Sequence, residues 1–136
     1  GKPAPSPEAM VRARFSAAKA KDPIFLAATQ LNPKKEENAI GSGVEHWAEL
    51  LGLPGYPALE ETEWRTAVKN IESIEILGTK SVKEAGKKRM QEVEFKMRCG
   101  NKRIHEKALF LTSNKRGYIY TNEPSFSNLE DVSEDE

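Results

Sequence analysis

The sequence predicts an α+β domain, with helices first and an antiparallel sheet of about four strands after them. Three observations predict it. Apolar side chains recur at helical spacing between residues 8 and 51. Within Met90 to Cys99 they alternate with charged ones from Glu92 onward. Compact Gly- and Asn-containing turns then punctuate the following strands. Helices followed by strands read as helices covering one face of a curved sheet. A chain of 136 residues is one domain, large enough to bury about two-thirds of its unfolded surface.

Gly1 to Pro7 hold three prolines and no periodicity, so residues 1–7 read as an extended arm. Ser6-Pro7 is a helix start, with Ser as N-cap and Pro at the first helical position. Val11, Phe15 and Ala18 then form one apolar stripe, beside Met10, Arg14 and Ala17. Asp22-Pro23 repeats the start signal for a short helix from Ile24 to Leu31, stopped by Asn32-Pro33. After the polar stretch Lys34–Asn38, Val44, Trp47, Ala48 and Leu51 share a third helical face, and the segment Gly52 to Pro57 breaks the chain. From Trp64 onward strand signals take over, and Ala67 to Leu77, rich in Val and Ile, reads as the first strand. Val93, Phe95, Met97 and Cys99 point one way, and Glu92, Glu94, Lys96 and Arg98 the other. Gly100-Asn101 turns the chain into a strand from Ile104 to Leu111, and Asn114–Gly117 turns it again into Tyr118–Thr121. Residues 8–122 are thus the domain, and 123–136 an acidic tail expected to be disordered, with Phe126 and Leu129 as the residues able to dock it.

Several of these segments carry a family resemblance. They are Arg14-Phe15-Ser16-Ala17, then Asp22 with Ala27-Ala28-Thr29, then Trp64 before an Ile-rich strand. Glu92-Val-Glu-Phe95, a turn at Gly100, His105 to Phe110 and Gly117-Tyr-Ile-Tyr120 follow. In this order, over about residues 10–122, the chain resembles a YchJ-like domain, a branch of the nuclear transport factor 2-like superfamily. The resemblance implies a cone: helices packed into the concave side of a bent sheet. Ala108 stands where the family usually has Ser, and Tyr118 where Trp is common. The cysteine-rich SEC-C motifs of full-length bacterial YchJ proteins are absent, so metal binding through them is not implied. The resemblance implies little about activity, because fold does not give function.

The superfamily includes small-molecule isomerases and dehydratases that use a carboxylate or histidine inside the cone. His105 and Glu106 are the candidates here, and as strand neighbours they face opposite sides. Glu106 shares the apolar face of Ile104, Ala108 and Phe110, so a pocket bordered by Phe15, Trp64, Phe95 and Phe110 would enclose it. A carboxylate buried there has a raised pKa unless paired, and is able to serve as a general base. The plainer reading is a structural hydrogen bond near the sheet's end. His46 reads as solvent-facing and Cys99, the one cysteine, as an inert core thiol. No phosphate-binding loop and no metal-ligand spacing is present, so neither a cofactor nor a metal is expected.

The charge balance is zero, from 21 basic and 21 acidic residues, but it is unevenly laid out. The tail from 123 holds six acids and no base, whereas Lys80–Arg116 holds 12 bases and 4 acids. Lys83, Lys87, Lys88 and Arg89 are expected in one loop with Lys80, and Arg98, Lys102 and Arg103 around the next turn. Together they would form one basic patch, which the acidic tail is able to screen. The function expected first is therefore a noncatalytic protein-interaction or assembly module that presents this edge to a protein partner, a larger complex or a second copy. The alternatives are a small-molecule-binding domain or enzyme built on Glu106, and an RNA or ribosome contact through residues 80–116. No apolar run is long enough for a membrane span. A soluble protein is expected, in the cytoplasm or in an organelle such as the plastid stroma after removal of a transit peptide.

Overall fold

The computed structural model describes residues 2–32, 42–83 and 89–133. Helices α1 (Pro7–Lys19), α2 (Pro23–Ala28), α3 (Ser42–Leu50) and α4 (Glu63–Lys69) come first. Strands β1 (Ser73–Lys83), β2 (Arg89–Cys99), β3 (Lys102–Ser113), β4 (Gly117–Tyr120) and β5 (Phe126–Asp131) follow. The architecture is α+β, with four helices on a five-stranded antiparallel sheet among the described residues.

The two helix starts stand where Ser-Pro and Asp-Pro place them. Ser6 Oγ accepts from the Ala9 N–H at 3.1 Å, and Asp22 Oδ1 from the Phe25 N–H at 3.1 Å. Each satisfies an N–H that the helix itself leaves unpaired. Helix α4 corrects the expectation of a strand beginning at Ala67. Thr62 caps it, its Oγ1 accepting from the Arg65 N–H at 3.1 Å. One turn further on, Ala67 is buried against Cys99 and Ile104. A cap and one buried face outweigh the β propensity of Val68, which is a weak prior, and β1 starts only at Ser73.

Strands β1 to β4 lie in sequence order, and β5 joins the same sheet through β3. Strand β3 serves two partners along one edge: its first half pairs with β5 (Lys102↔Asp131 to Lys107↔Phe126), its second with β4 (Phe110↔Tyr120 to Ser113↔Gly117). Strands β4 and β5 are therefore two lengths of one interrupted edge strand. The interruption is held at both ends, by Thr121 N–H to Leu109 O (3.0 Å) and Ser125 N–H to Lys107 O (2.9 Å). Between them Asn122 takes a positive φ of 62°, a conformation Asn tolerates better than most residues. The expected disordered tail is replaced over residues 126–131 by an ordered strand. Residues 134–136 lie outside the described residues.

Helix α1 sets Met10 and Val11 on Val93 and Phe95 of β2 and Ala108 and Phe110 of β3. Phe110 is 1% exposed, a burial whose loss by truncation to Ala costs about 3–5 kcal/mol. Residues 29–31 run beside β4, with Tyr120 N–H bonded to Thr29 O (2.9 Å) and Leu31 N–H to Tyr120 O (2.8 Å). The N-terminal arm reaches the β3–β4 turn, where Ala4 N–H donates to Arg116 O at 2.9 Å. Among the described residues, no helix is long and apolar enough to cross a membrane.

Candidate functional site

Strand alternation decides which side chains of β3 face the helices. Ile104, Glu106, Ala108 and Phe110 all line a cavity of about 270 Å³ between helices and sheet. Phe15, Trp64, Phe95 and Phe110, the four aromatics expected around Glu106, border this cavity. Aliphatic side chains from α1 (Val11), α4 (Val68), the link after it (Ile71) and β1 (Ile74) add to its apolar wall. The polar lining is Arg14, Glu106, Tyr120 and Asn122, with the Trp47 indole beside them.

The polar groups form a connected set. Tyr120 Oη donates to Glu106 Oε2 at 3.2 Å. Ser127 of β5, directly opposite Glu106 in the sheet, donates to its Oε1 at 3.3 Å. The Arg14 guanidinium lies 5.1 Å from the Tyr120 ring centre and 5.9 Å from that of Trp47, within reach of cation–π attraction. Its Nη1 donates to Leu26 O (2.8 Å) and Thr29 Oγ1 (2.7 Å), and its Nη2 to Gln30 Oε1 (3.1 Å). Gln30 Oε1 also accepts from the Trp47 indole N–H at 3.1 Å, which ties α3 to the same corner.

Burial shapes the electrostatics here. It pushes the Glu106 carboxyl above the usual carboxylate range, against the hydrogen bonds from Tyr120 and Ser127 and the field of Arg14. It pushes the Tyr120 phenol up as well, with Glu106 adding to the shift. Arg14 is brought down to about 10, first by burial, while Tyr120 and Glu106 pull it back; it remains a cation at neutral pH. The arrangement is able to hold a mostly apolar molecule with one polar end, and to pass a proton to or from that end through Glu106.

His105 lies on the other face of the sheet. Its Nε2 is 2.6 Å from Glu94 Oε2 and its Nδ1 3.3 Å from Glu130 Oε1. The Phe126 ring packs edge-on against it with 5.0 Å between ring centres. It does not line the cavity with Glu106. Cys99 is buried, and burial raises its thiol to about 11, so it is scarcely a thiolate at neutral pH. His46 is exposed.

The basic residues fall in different places from one another. Lys80 and Lys83 belong to β1 and Arg89 to β2, which corrects the single loop expected to hold them. The strands run further than their hydrophobic pattern because the backbone ladder continues from Lys80↔Glu92 to Lys83↔Arg89, its last two pairs past the reach of β3. Lys87 and Lys88 lie outside the described residues. Arg98 folds back onto Gly100 O at 2.6 Å. Lys102 pairs with Asp131 and, at 3.5 Å, with Glu63; Arg103 pairs with Glu130 at 3.0 Å. Two acids of the tail thus meet two bases of the expected patch.

Arg14, Gln30, Trp47, Tyr120, Asn122 and Ser127 are the site residues that the sequence reading did not single out. For Arg14 a signal existed: a charged residue within the apolar stripe of α1. Ser127 carried none, since its place depends on β5 pairing with β3.

A family model described as YchJ, middle NTF2-like domain, matches residues 6–123. Neither a curated protein nor a solved structure matches the chain.

Proposed function

The chain belongs to the YchJ middle NTF2-like domain family, and from that premise we propose that it is a small-molecule-binding domain whose ligand lies in the cone between helices and sheet. One observation carries the reading. A cavity of about 270 Å³ has apolar and aromatic walls and a single polar end made by Arg14, Tyr120 and Glu106. Pockets for small molecules have this make-up: a concave apolar body with a few convergent polar groups. If the ligand is a substrate, Glu106 is the group that would move a proton.

The assembly-module reading has less to stand on. Among its seven patch residues, Arg98, Lys102 and Arg103 are engaged within the domain. Exposed ion pairs of this kind contribute little stability each, about 0–1 kcal/mol, but they occupy the charge that a partner would need.

Both tryptophans of the chain line the cavity, so their emission reports its filling. Titration of the protein with small aromatic and branched aliphatic compounds is expected to change that emission saturably and to raise Tm. For a chain of this size each kcal/mol of binding is worth roughly 3–5 °C. A folded protein whose emission and Tm respond to none of these compounds would remove the reading.

A further inference from the structure

The polar end of the cavity holds a cation, Arg14, that donates no hydrogen bond to a carboxylate among the described residues, although the field of Glu106 reaches it. All three hydrogen bonds of Arg14 go to neutral acceptors: Leu26 O, Thr29 Oγ1 and Gln30 Oε1. A guanidinium has five N–H groups. The Nε–H and one Nη2–H of Arg14 thus have no protein partner among the described residues. Glu106, in the same cavity, accepts among the described residues from two hydroxyls, those of Tyr120 and Ser127. Its partner across β2 is Phe95, so Arg14 from α1 and Tyr120 from β4 are the ionisable groups that act on it.

We propose that the ligand is a small organic monocarboxylic acid with an aromatic or branched aliphatic body, its carboxylate held by the free N–H groups of Arg14 and its acceptance controlled by protonated Glu106. The inference rests on the pocket reading above and adds the ligand's chemistry to it. A guanidinium with spare N–H groups recognises a carboxylate through two parallel, charge-assisted hydrogen bonds. A neutral alcohol or amide gives the spare N–H groups of Arg14 no charged acceptor, and an amine cation meets like charge. A carboxylate entering beside ionised Glu106 would meet like charge as well, so Glu106 takes up a proton from solvent as the ligand binds. The pair then shares one negative charge against the one positive charge of Arg14, and the new Glu106 O–H is free to donate to the ligand. Burial of Glu106 already favours its protonated form. The ligand's body lies against Trp47, Trp64 and the aliphatic wall.

The test uses the whole chain and two probes of the same shape, phenylacetate and phenylacetamide, with tryptophan emission read from about pH 5 to about pH 8. Phenylacetate is expected to bind at least about tenfold more tightly than the amide. Its Kd should rise with pH above the Glu106 pKa, by up to about tenfold per unit, because one proton enters with each ligand. Glu106→Gln should bind phenylacetate with no such slope. Arg14→Lys, which keeps the charge and loses the fork, should weaken phenylacetate by a larger factor than it weakens the amide, so that the preference for the acid shrinks. Equal affinity for acid and amide without a pH slope would overturn the proposal and leave the pocket standing. The same holds if neutral apolar compounds saturate the emission and neither probe does. No response to any compound would overturn pocket and proposal together.

Discussion

At Gly117 the backbone has a φ of +84°, and a Cβ there would sit 2.2 Å from Ala4 O and 2.8 Å from Ala4 N. Two separate costs face any side chain, the left-handed backbone and the arm lying across it. Gly117→Ala is expected to lower unfolding free energy by about 1–3 kcal/mol in urea titrations. Removing residues 1–5 in the same variant should restore the part due to collision and leave the part due to φ. Glu106 gives the second prediction at this scale. Its folded-state pKa is raised, so the native state is fully favoured below the unfolded value and loses stability as pH climbs to the folded one. Glu106→Gln should therefore stabilise the protein at neutral pH and do so less near pH 4, as read by Tm across pH. The inward direction of Glu106 was legible from alternation with Ile104, Ala108 and Phe110. The engagement of Arg14 was not, because its acceptors at 26, 29 and 30 depend on how two helices and β4 meet.

Strand β5 shows why one element escaped the sequence. Six acids without a base read as a segment unable to bury itself. The charges that hold it, Lys102 and Arg103, stand on β3, a partner that local pattern cannot name. Helix α4 escaped for the opposite reason: its content of Val and Ile neighbours suggested a strand, and the Thr62 cap decided otherwise. The ion pairs of β5 make it acid-sensitive. The hydrogen bond from Arg103 of β3 holds Glu130 of β5 below the usual carboxylate range. A depressed carboxylate contributes stability above its unfolded pKa and loses it as pH falls through the folded one. Below about pH 4, near the reference pKa of Glu, β5 should detach while β1 to β3 remain paired. Amide exchange of residues 126–131 measures this, with faster exchange expected there than in β2, and a uniform rise across the sheet would contradict it.

For the molecule as a whole, the fold class, the helix starts and the aromatic border of the cavity were all legible, since each follows from local pattern or face. The cavity itself was not, because empty space is a property of how helices and sheet fail to interlock. Ala108 is 2% exposed and lines that space. Ala108→Leu should extend into the cavity, leave Tm equal or higher and abolish the emission response to small aromatic compounds. A large fall in Tm would mean that the space at Ala108 is already filled. The neutral net charge also gains a spatial meaning, since tail acids and hairpin bases neutralise one another inside one sheet. A last consequence concerns the two ends of the described chain. Ala4 is fastened beside Arg116 past one end of β3, and Val132 beside Asn101 past the other, its N–H donating to Asn101 O at 3.0 Å. The 12 residues of β3 span roughly 36–40 Å at about 3.3 Å each. This strand is thus a spacer, and whatever is joined at Ala4 and at Val132 is kept apart by its length.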